Sequence, residues 1–295
     1  MSKVKVAIIG IGLIGGSIGL AIKHQFNEDV YVWGLDSKAE TLDIAMQRGA
    51  VDTTTQDYET AVKDADIVFL STPVLQIVPM IEKILPFLKP GAILTDTGST
   101  KQYIWEKIRK ILPGNIYYVA GHPMAGKEHS GIAAADKNLF RHKCYVIVED
   151  TGAPQEAIKA VCKLVEATGA NITTMDIAQH DRCASVISHV PHVTAAALVT
   201  LLNNSQNDIE ANLKLAGGGF KDTTRIASSN ADMWADICIS NPEAIIHNLE
   251  ELKQIIDNVI VDIGLGNRQN IYEYFYAAKQ RRDNILDKTN RLFEI

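Results

Sequence analysis

The sequence predicts an α/β fold: a doubly wound, mainly parallel sheet followed by an all-helical C-terminal domain. Three observations carry that prediction. Short β-branched runs alternate with helical patterns up to Asp176, a glycine fingerprint lies between the first run and the first helix, and after Asp176 only helical spacing remains. The boundaries that follow are 1–176 for the sheet domain and 177–295 for the helical one. At 295 residues the chain has room for two cores of ordinary size.

Taken in order, the expected strands are KVAIIG (5–10), VYVWGLD (30–36), DIVFLST (66–72), AILTDTG (92–98), IYYVAG (116–121) and CYVIVED (144–150). Their spacing leaves room for a crossover helix between successive strands, which parallel pairing requires. A helical pattern at 154–170 ends at Gly169, and NITTMD (171–176) reads as one more strand. From residue 177 the apolar residues recur at helical spacing, interrupted at LAGGGF (215–220) and at Asn241-Pro242. Two long helices are expected near 243–263 and 267–290. Their apolar and aromatic residues, as in IYEYFYAA, suit burial against a second subunit or ordinary packing within one chain.

GIGLIGGSIG (10–19) holds Gly10, Gly12 and Gly15 in GxGxxG spacing, after a strand and before a helix. The first glycine permits the turn, the second lets the backbone approach a pyrophosphate, and the third allows close helix packing. The phosphate charge then faces the helix N-terminus. This is the Rossmann dinucleotide pattern. Asp36, 21 residues past Gly15, ends the second strand where an acidic side chain would bind ribose hydroxyls. Leu13, Ile14 and Thr72 are counted with these residues as cofactor-binding. A 2′-phosphate about 4 Å from the Asp36 carboxylate would meet repulsion of about 4 kcal/mol at an effective dielectric of about 20, so NAD is expected rather than NADP. Lys38, two residues on, would offset part of that penalty. The overlapping GGSIG also fits the GxSxG of a hydrolase elbow, but Ser17 lies within the expected helix, not on the strand-end turn such a nucleophile needs.

Bulk properties narrow the partners. The net charge of −6 argues against nucleic acid, which requires a basic face, no apolar run is expected to be long enough to span a bilayer, and the start reads as a strand rather than a secretory leader, so a cytoplasmic chain is expected. Cys144, Cys162, Cys183 and Cys238 show no CxxC spacing and are expected to be reduced and mostly buried.

A nicotinamide enzyme acting on an alcohol needs a group to take the hydroxyl proton, and open α/β sheets bind ligands at the carboxyl ends of their strands. TDTGSTK (95–101) and AGHPMAGKEHSG (120–131) end the fourth and fifth strands. His122, read as lying in a glycine-bounded loop, is therefore the candidate base, with Ser99 placed to hydrogen-bond and orient it. A His that bonds only its own loop is the alternative.

These residues carry a resemblance. GxGLIGGS at 10–17, DTGSTK at 96–101, GHPMAGKEHSG at 121–131, SHVPH at 188–192 and GGGFKDTTRIA at 217–227, with Trp234, resemble the prephenate dehydrogenase family of tyrosine biosynthesis, in order through nearly the whole chain. The resemblance implies NAD-dependent oxidative decarboxylation of prephenate to 4-hydroxyphenylpyruvate. His122 would bond and deprotonate the ring hydroxyl with Ser99 beside it, Arg225 would bind a substrate carboxylate, and His189 and His192 would line the pocket. Gly218 and Asp222 would belong to the same substrate site, and the helical domain would form a homodimer. Glu128 is hinted at as an inhibitor-sensing residue, with His129 next to it. Some family members carry a further regulatory domain, which is not expected here.

Residue chemistry leaves alternatives open. Arg225 could pair with Asp222 three residues earlier on one helix face instead of binding substrate. His189 and His192 stand i,i+3 as metal ligands can, but no third ligand is evident and Pro191 is expected to bend the helix. A 3-hydroxy-acid dehydrogenase would use a lysine base, for which Lys221 is the nearby candidate. A cofactor-sensing module would bind NAD and turn over nothing. Prephenate and arogenate differ only in the side chain, so the motifs read both alike.

Overall fold

The computed structural model describes residues 3–127, 129–202 and 209–293. The described residues fall into two compact units that divide between Pro242 and Glu243.

In the larger unit, β1 (Val4–Ile9), β2 (Val30–Leu35), β3 (Thr53–Thr55), β4 (Ile67–Leu70), β5 (Ile93–Asp96) and β6 (Tyr117–Val119) form one parallel sheet in the order β3-β2-β1-β4-β5-β6. The order reverses between β1 and β4, so the crevice for a ligand opens at the carboxyl ends of those two strands. The helices α1 (Leu13–Phe26), α2 (Ala39–Gln47), α3 (Tyr58–Val62), α4 (Val74–Ile84) and α5 (Gln102–Ile108) follow their strands in turn. Continuous apolar strands such as Ile67–Leu70, buried at every position, are what a sheet covered on both faces demands. Two apolar clusters result, one holding Ile8, Phe69 and Val32, the other Ile9, Leu70 and Val68.

The predicted strand at 116–121 is divided. β6 stops at Val119, and β7 (Gly121–Pro123) joins a second sheet with β8 (Cys144–Val148) and β9 (Asn171–Met175), antiparallel to β8, which is itself parallel to β9. His122 therefore lies in a strand, paired with Val146, and not in a loop. α6 (Gln155–Glu166) buries Ala157, Ile158, Val161, Leu164 and Val165 at helical spacing and ends before Gly169, whose φ of +74° favours glycine.

Strands end at Met175, and helices follow: α7 (Ile177–Ala184), a π-helical turn at Ser185–His189, α8 (Val190–Leu201), α9 (Ile209–Leu215), α10 (Gly218–Thr224) and α11 (Ala231–Ser240). The run Ile177–Leu201 reaches the length and apolarity of a bilayer span, contrary to the expectation from composition. It also carries His180, Asp181, Arg182, His189 and His192, and burying such groups in hydrocarbon is expensive. The cysteines are all free, but none is fully buried and Cys183 is exposed. On α7 the inward stripe is Ile177, His180, Asp181 and Ala184, and position 183 falls outside it.

The smaller unit holds nearly all of α12 (Pro242–Gly264) and α13 (Arg268–Phe293). Both helices expose large apolar side chains, among them Ile256, Ile260, Ile263, Tyr272 and Phe275.

Candidate active site

The glycine loop is built as the fingerprint requires. Gly10 has a φ of +87°, and a Cβ there would stand 2.7 Å from the Ser71 carbonyl oxygen. A Cβ on Gly15 would stand 2.1 Å from the Gly10 carbonyl oxygen, so the helix could not approach the strand end. Gly12 has nothing within 4 Å of such an atom, which is the open approach a pyrophosphate needs. No side chain caps the N-terminus of α1, where Gly12 is the cap and Leu13 and Ile14 form the first turn.

The Asp36 carboxylate accepts from the backbone N–H of Ile11 at 3.0 Å and of Lys38 at 3.0 Å, fixing its position against the glycine loop while leaving lone pairs for ribose hydroxyls. Ser71 Oγ and Thr72 Oγ1, at the end of β4, are buried without a hydrogen-bond partner among the described residues. Buried hydroxyls of this kind need explaining, and a bound dinucleotide would supply their partners. The site thus fits NAD. Ser17 is wholly buried within α1 and its Oγ accepts from the Asp136 N–H at 2.9 Å, which removes it as a nucleophile.

Next along the sheet edge, the segment after β5 is held by a buried ion pair. Lys101 Nζ donates to Asp96 and to the Gly121 carbonyl at 2.7 Å, and neither charged side chain is exposed. Asp96 also accepts from the Tyr118 hydroxyl at 2.6 Å and from the N–H groups of Gly98 at 2.9 Å and Gly121 at 3.2 Å. This explains the spacing in DTGSTK: Asp96 and Lys101 clamp the strand that carries His122. Thr100 Oγ1 donates to Ser240 Oγ at 2.9 Å and so ties the same segment to α11.

His122 is 8% exposed, and its Nδ1 lies 2.8 Å from His180 Nε2. Among the described residues no hydrogen bond joins it to Ser99, and its contact is with a histidine from α7 instead. Burial pushes the His122 pKa well below 6.5, and the neighbouring His180, Lys101 and His189 push it the same way. His180 Nδ1 lies 2.7 Å from Asp181 Oδ1. Asp181 further accepts the N–H of Lys101 at 2.8 Å and of Gln102 at 2.9 Å, at the start of α5. His180, Asp181, Lys101 and Asp96 were missed by motif reading as site residues. The signal for the first two was the stripe 177, 180, 181, 184, which puts a His and an Asp on a helix face otherwise apolar.

The π turn precedes Pro191, which has no N–H to donate to the Ile187 carbonyl as a regular helix would need, and His189 lies inward at 1% exposure. His189 Nδ1 lies 3.4 Å from Asn241 Nδ2, and burial takes its pKa down to about 4. His192 stacks on Trp234 with ring centroids 3.8 Å apart, and its Nδ1 lies 2.8 Å from the Ser188 carbonyl oxygen. Burial lowers the His192 pKa, the Ser188 carbonyl opposes this, and the Arg225 charge adds to the lowering. Trp234 Nε1 is buried without a partner among the described residues. Arg225 opens a short turn, Arg225–Ser228, directly after α10, whose N-cap is Gly217; Gly218, Lys221 and Asp222 are exposed on α10. His129 is exposed, and Glu128 lies outside the described residues. Among the described residues no group of three or more His, Cys, Asp or Glu side chains gathers as a metal ion would require.

Comparison with known proteins identifies the family. Residues 18–174 match the family model described as prephenate dehydrogenase, nucleotide-binding domain, and residues 176–277 match prephenate dehydrogenase, dimerization domain. The chain is 35% identical to a prephenate dehydrogenase of Bacillus subtilis over 284 residues, 96% of this chain and 76% of that one. Among solved structures, it is similar to prephenate dehydrogenase from A. aeolicus in complex with hydroxyphenyl propionate and NAD+, with a TM-score of 0.88, 30% identity, and coverage of 97% of this chain and 99% of that one. Synechocystis arogenate dehydrogenase matches with a TM-score of 0.83 at 29% identity, covering 95% of this chain and 99% of that one.

Proposed function

The chain belongs to the prephenate dehydrogenase family of NAD-dependent oxidoreductases, and we propose that it oxidatively decarboxylates prephenate with His122 as the acceptor for the ring hydroxyl proton. The observation that carries this reading is the buried ring of His122, which lies on β7 directly after β6 and meets His180 Nε2 at 2.8 Å. Bound NAD supplies the acceptor for the hydride that leaves the ring carbon bearing the hydroxyl.

The chain's own residues do the rest. Gly10, Gly12 and Gly15 leave room for the dinucleotide, Asp36 accepts from its ribose, and the hydroxyls of Ser71 and Thr72 gain partners. A neutral His122 takes hold of the hydroxyl proton as the hydride departs, with Ser99 beside the same oxygen. The electron pair of the ring–carboxylate bond enters the ring as CO₂ leaves. The proton returns from His122 to the phenolic oxygen, so the reaction releases no net proton. Arg225 binds a substrate carboxylate, His189 and His192 line the pocket against Trp234, and Gly218 and Asp222 shape its edge. We place the division between the cofactor and substrate parts at residue 176. The helical part pairs two copies of the chain, a reading supported by the apolar side chains exposed on α12 and α13 and by the dimerization-domain match.

The test is NADH formation by the purified protein with NAD and prephenate, with arogenate and NADP in parallel wells. Rapid reduction of NAD with prephenate is expected. No reduction with any pairing, in protein that still binds NAD, would overturn the reading.

A further inference from the structure

The His122 ring does not stand alone. Its Nδ1 meets His180 Nε2 at 2.8 Å, and His180 Nδ1 meets Asp181 Oδ1 at 2.7 Å, so three side chains from two elements form one continuous line. All three are less than 10% exposed. Both His180 and Asp181 sit on the inward stripe of α7, and Asp181 is anchored in turn by the Lys101 and Gln102 N–H groups.

From this geometry we propose that His180 and Asp181 are positioning residues, which fix the tautomer of His122 and take up its proton charge during the reaction. The inference rests on the reading of His122 as proton acceptor. A carboxylate only accepts hydrogen bonds, so the contact of Asp181 with His180 places the His180 proton on Nδ1. His180 Nε2 is then the accepting atom, and across the 2.8 Å contact His122 donates from its own Nδ1. That leaves Nε2 of His122 unprotonated, the form needed to accept a hydroxyl proton.

The line also gives the charge somewhere to go. As the substrate hydroxyl proton binds His122 Nε2, the proton on His122 Nδ1 can pass to His180 Nε2, and the resulting imidazolium lies beside the Asp181 carboxylate. One proton enters the line and one shifts within it, and no electrons are exchanged. When the proton returns to the phenolic oxygen both shifts reverse. Buried rings have no water to disperse charge, which is why a paired carboxylate matters here.

Two variants and one spectrum test this. In His180→Leu the acceptor for His122 Nδ1–H is gone, and kcat is expected to fall at least tenfold with NAD binding and the KM for prephenate changed less than twofold. His180→Gln restores an acceptor oxygen near the Nε2 position and is expected to recover most of that loss, which a merely packing role for the ring would not require. In the native protein labelled with ¹⁵N-histidine, two-bond ¹H–¹⁵N correlations should show His122 Nε2 unprotonated, with the His122→Asn variant assigning the signal. A kcat for His180→Leu within twofold of native, in the presence of a normal loss in His122→Asn, would overturn the positioning role alone. Native turnover in His122→Asn would overturn the acceptor reading and, with it, the catalytic use of the line. A protonated Nε2 in the native spectrum would overturn the tautomer assignment even if His180→Leu failed to fold.

Discussion

Lys101 and Asp96 form an ion pair in which neither side chain reaches solvent, and the same ammonium group holds the carbonyl oxygen of Gly121, the residue before His122. Removing one partner of such a pair leaves a buried charge uncompensated. Lys101→Met should therefore destabilise the protein by about 3–5 kcal/mol, measured by urea denaturation. A change below about 1 kcal/mol would show that Asp96 is satisfied by its other donors, the Tyr118 hydroxyl and the two backbone N–H groups.

His122→Asn should keep NAD affinity and lose at least about tenfold in turnover, within the range of about 10²–10⁴-fold that a positioned acid–base group contributes. Near-native turnover in a steady-state NADH assay would remove His122 from the proton-accepting role.

The pH dependence has a definite sign. On the proposed role of His122 the acceptor is the neutral ring, which is present above its pKa, and burial moves that pKa well below 6.5. Activity should stay level as pH falls through 6.5 and drop only when the lowered pKa is reached. A pH profile of kcat/KM whose acid limb is centred at or above 6.5 would contradict the burial argument.

His189 gives a stability counterpart. Its pKa is about 4 in the folded chain against 6.5 unfolded, so the unfolded chain binds the extra proton first. Stability is full above 6.5 and is lost as pH falls toward 4, by an amount on the order of 3 kcal/mol from this group. Denaturation midpoints across that window should decline in the native protein and decline less in His189→Gln.

The glycine loop separates folding from binding. Gly12→Ala should fold normally and bind NAD at least about tenfold more weakly, because its new methyl group fills only the approach left open for phosphate. Gly10→Ala should lose stability as well, since its Cβ would collide with the Ser71 carbonyl at a positive φ. Calorimetric titration together with thermal unfolding distinguishes the two, and equal stability losses would count against the assignment.

Much of the fold was legible because parallel strands are apolar throughout and helices carry a 3.6-residue stripe. The runs at 5–10, 30–36, 66–72, 92–98, 144–150 and 171–176 all contain strands. β3 escaped because three threonines at an edge carry no apolar signal, and the division between β6 and β7 escaped because a change of sheet leaves the apolar run unbroken. In the site, local motifs located the glycine loop and His122. The partner of His122 could not be found the same way: His180 is 58 residues distant, and the packing of α7 against the start of α5 and against β8 brings it near. Ser99, near His122 in the motifs, makes no hydrogen bond to it among the described residues.

The π turn at Ser185–His189 works as a one-residue phase adjuster. Each residue advances a helix by about 100°, so the added residue rotates everything C-terminal to it relative to the stripe of His180 and Asp181. A single-residue deletion in that turn would leave the upstream pair facing His122 and swing His192 off the Trp234 ring. The His180–Asp181 line to His122 and the stacking of His192 on Trp234 are thus set by two angular registers on one rod, and a lineage could retune the second without disturbing the first.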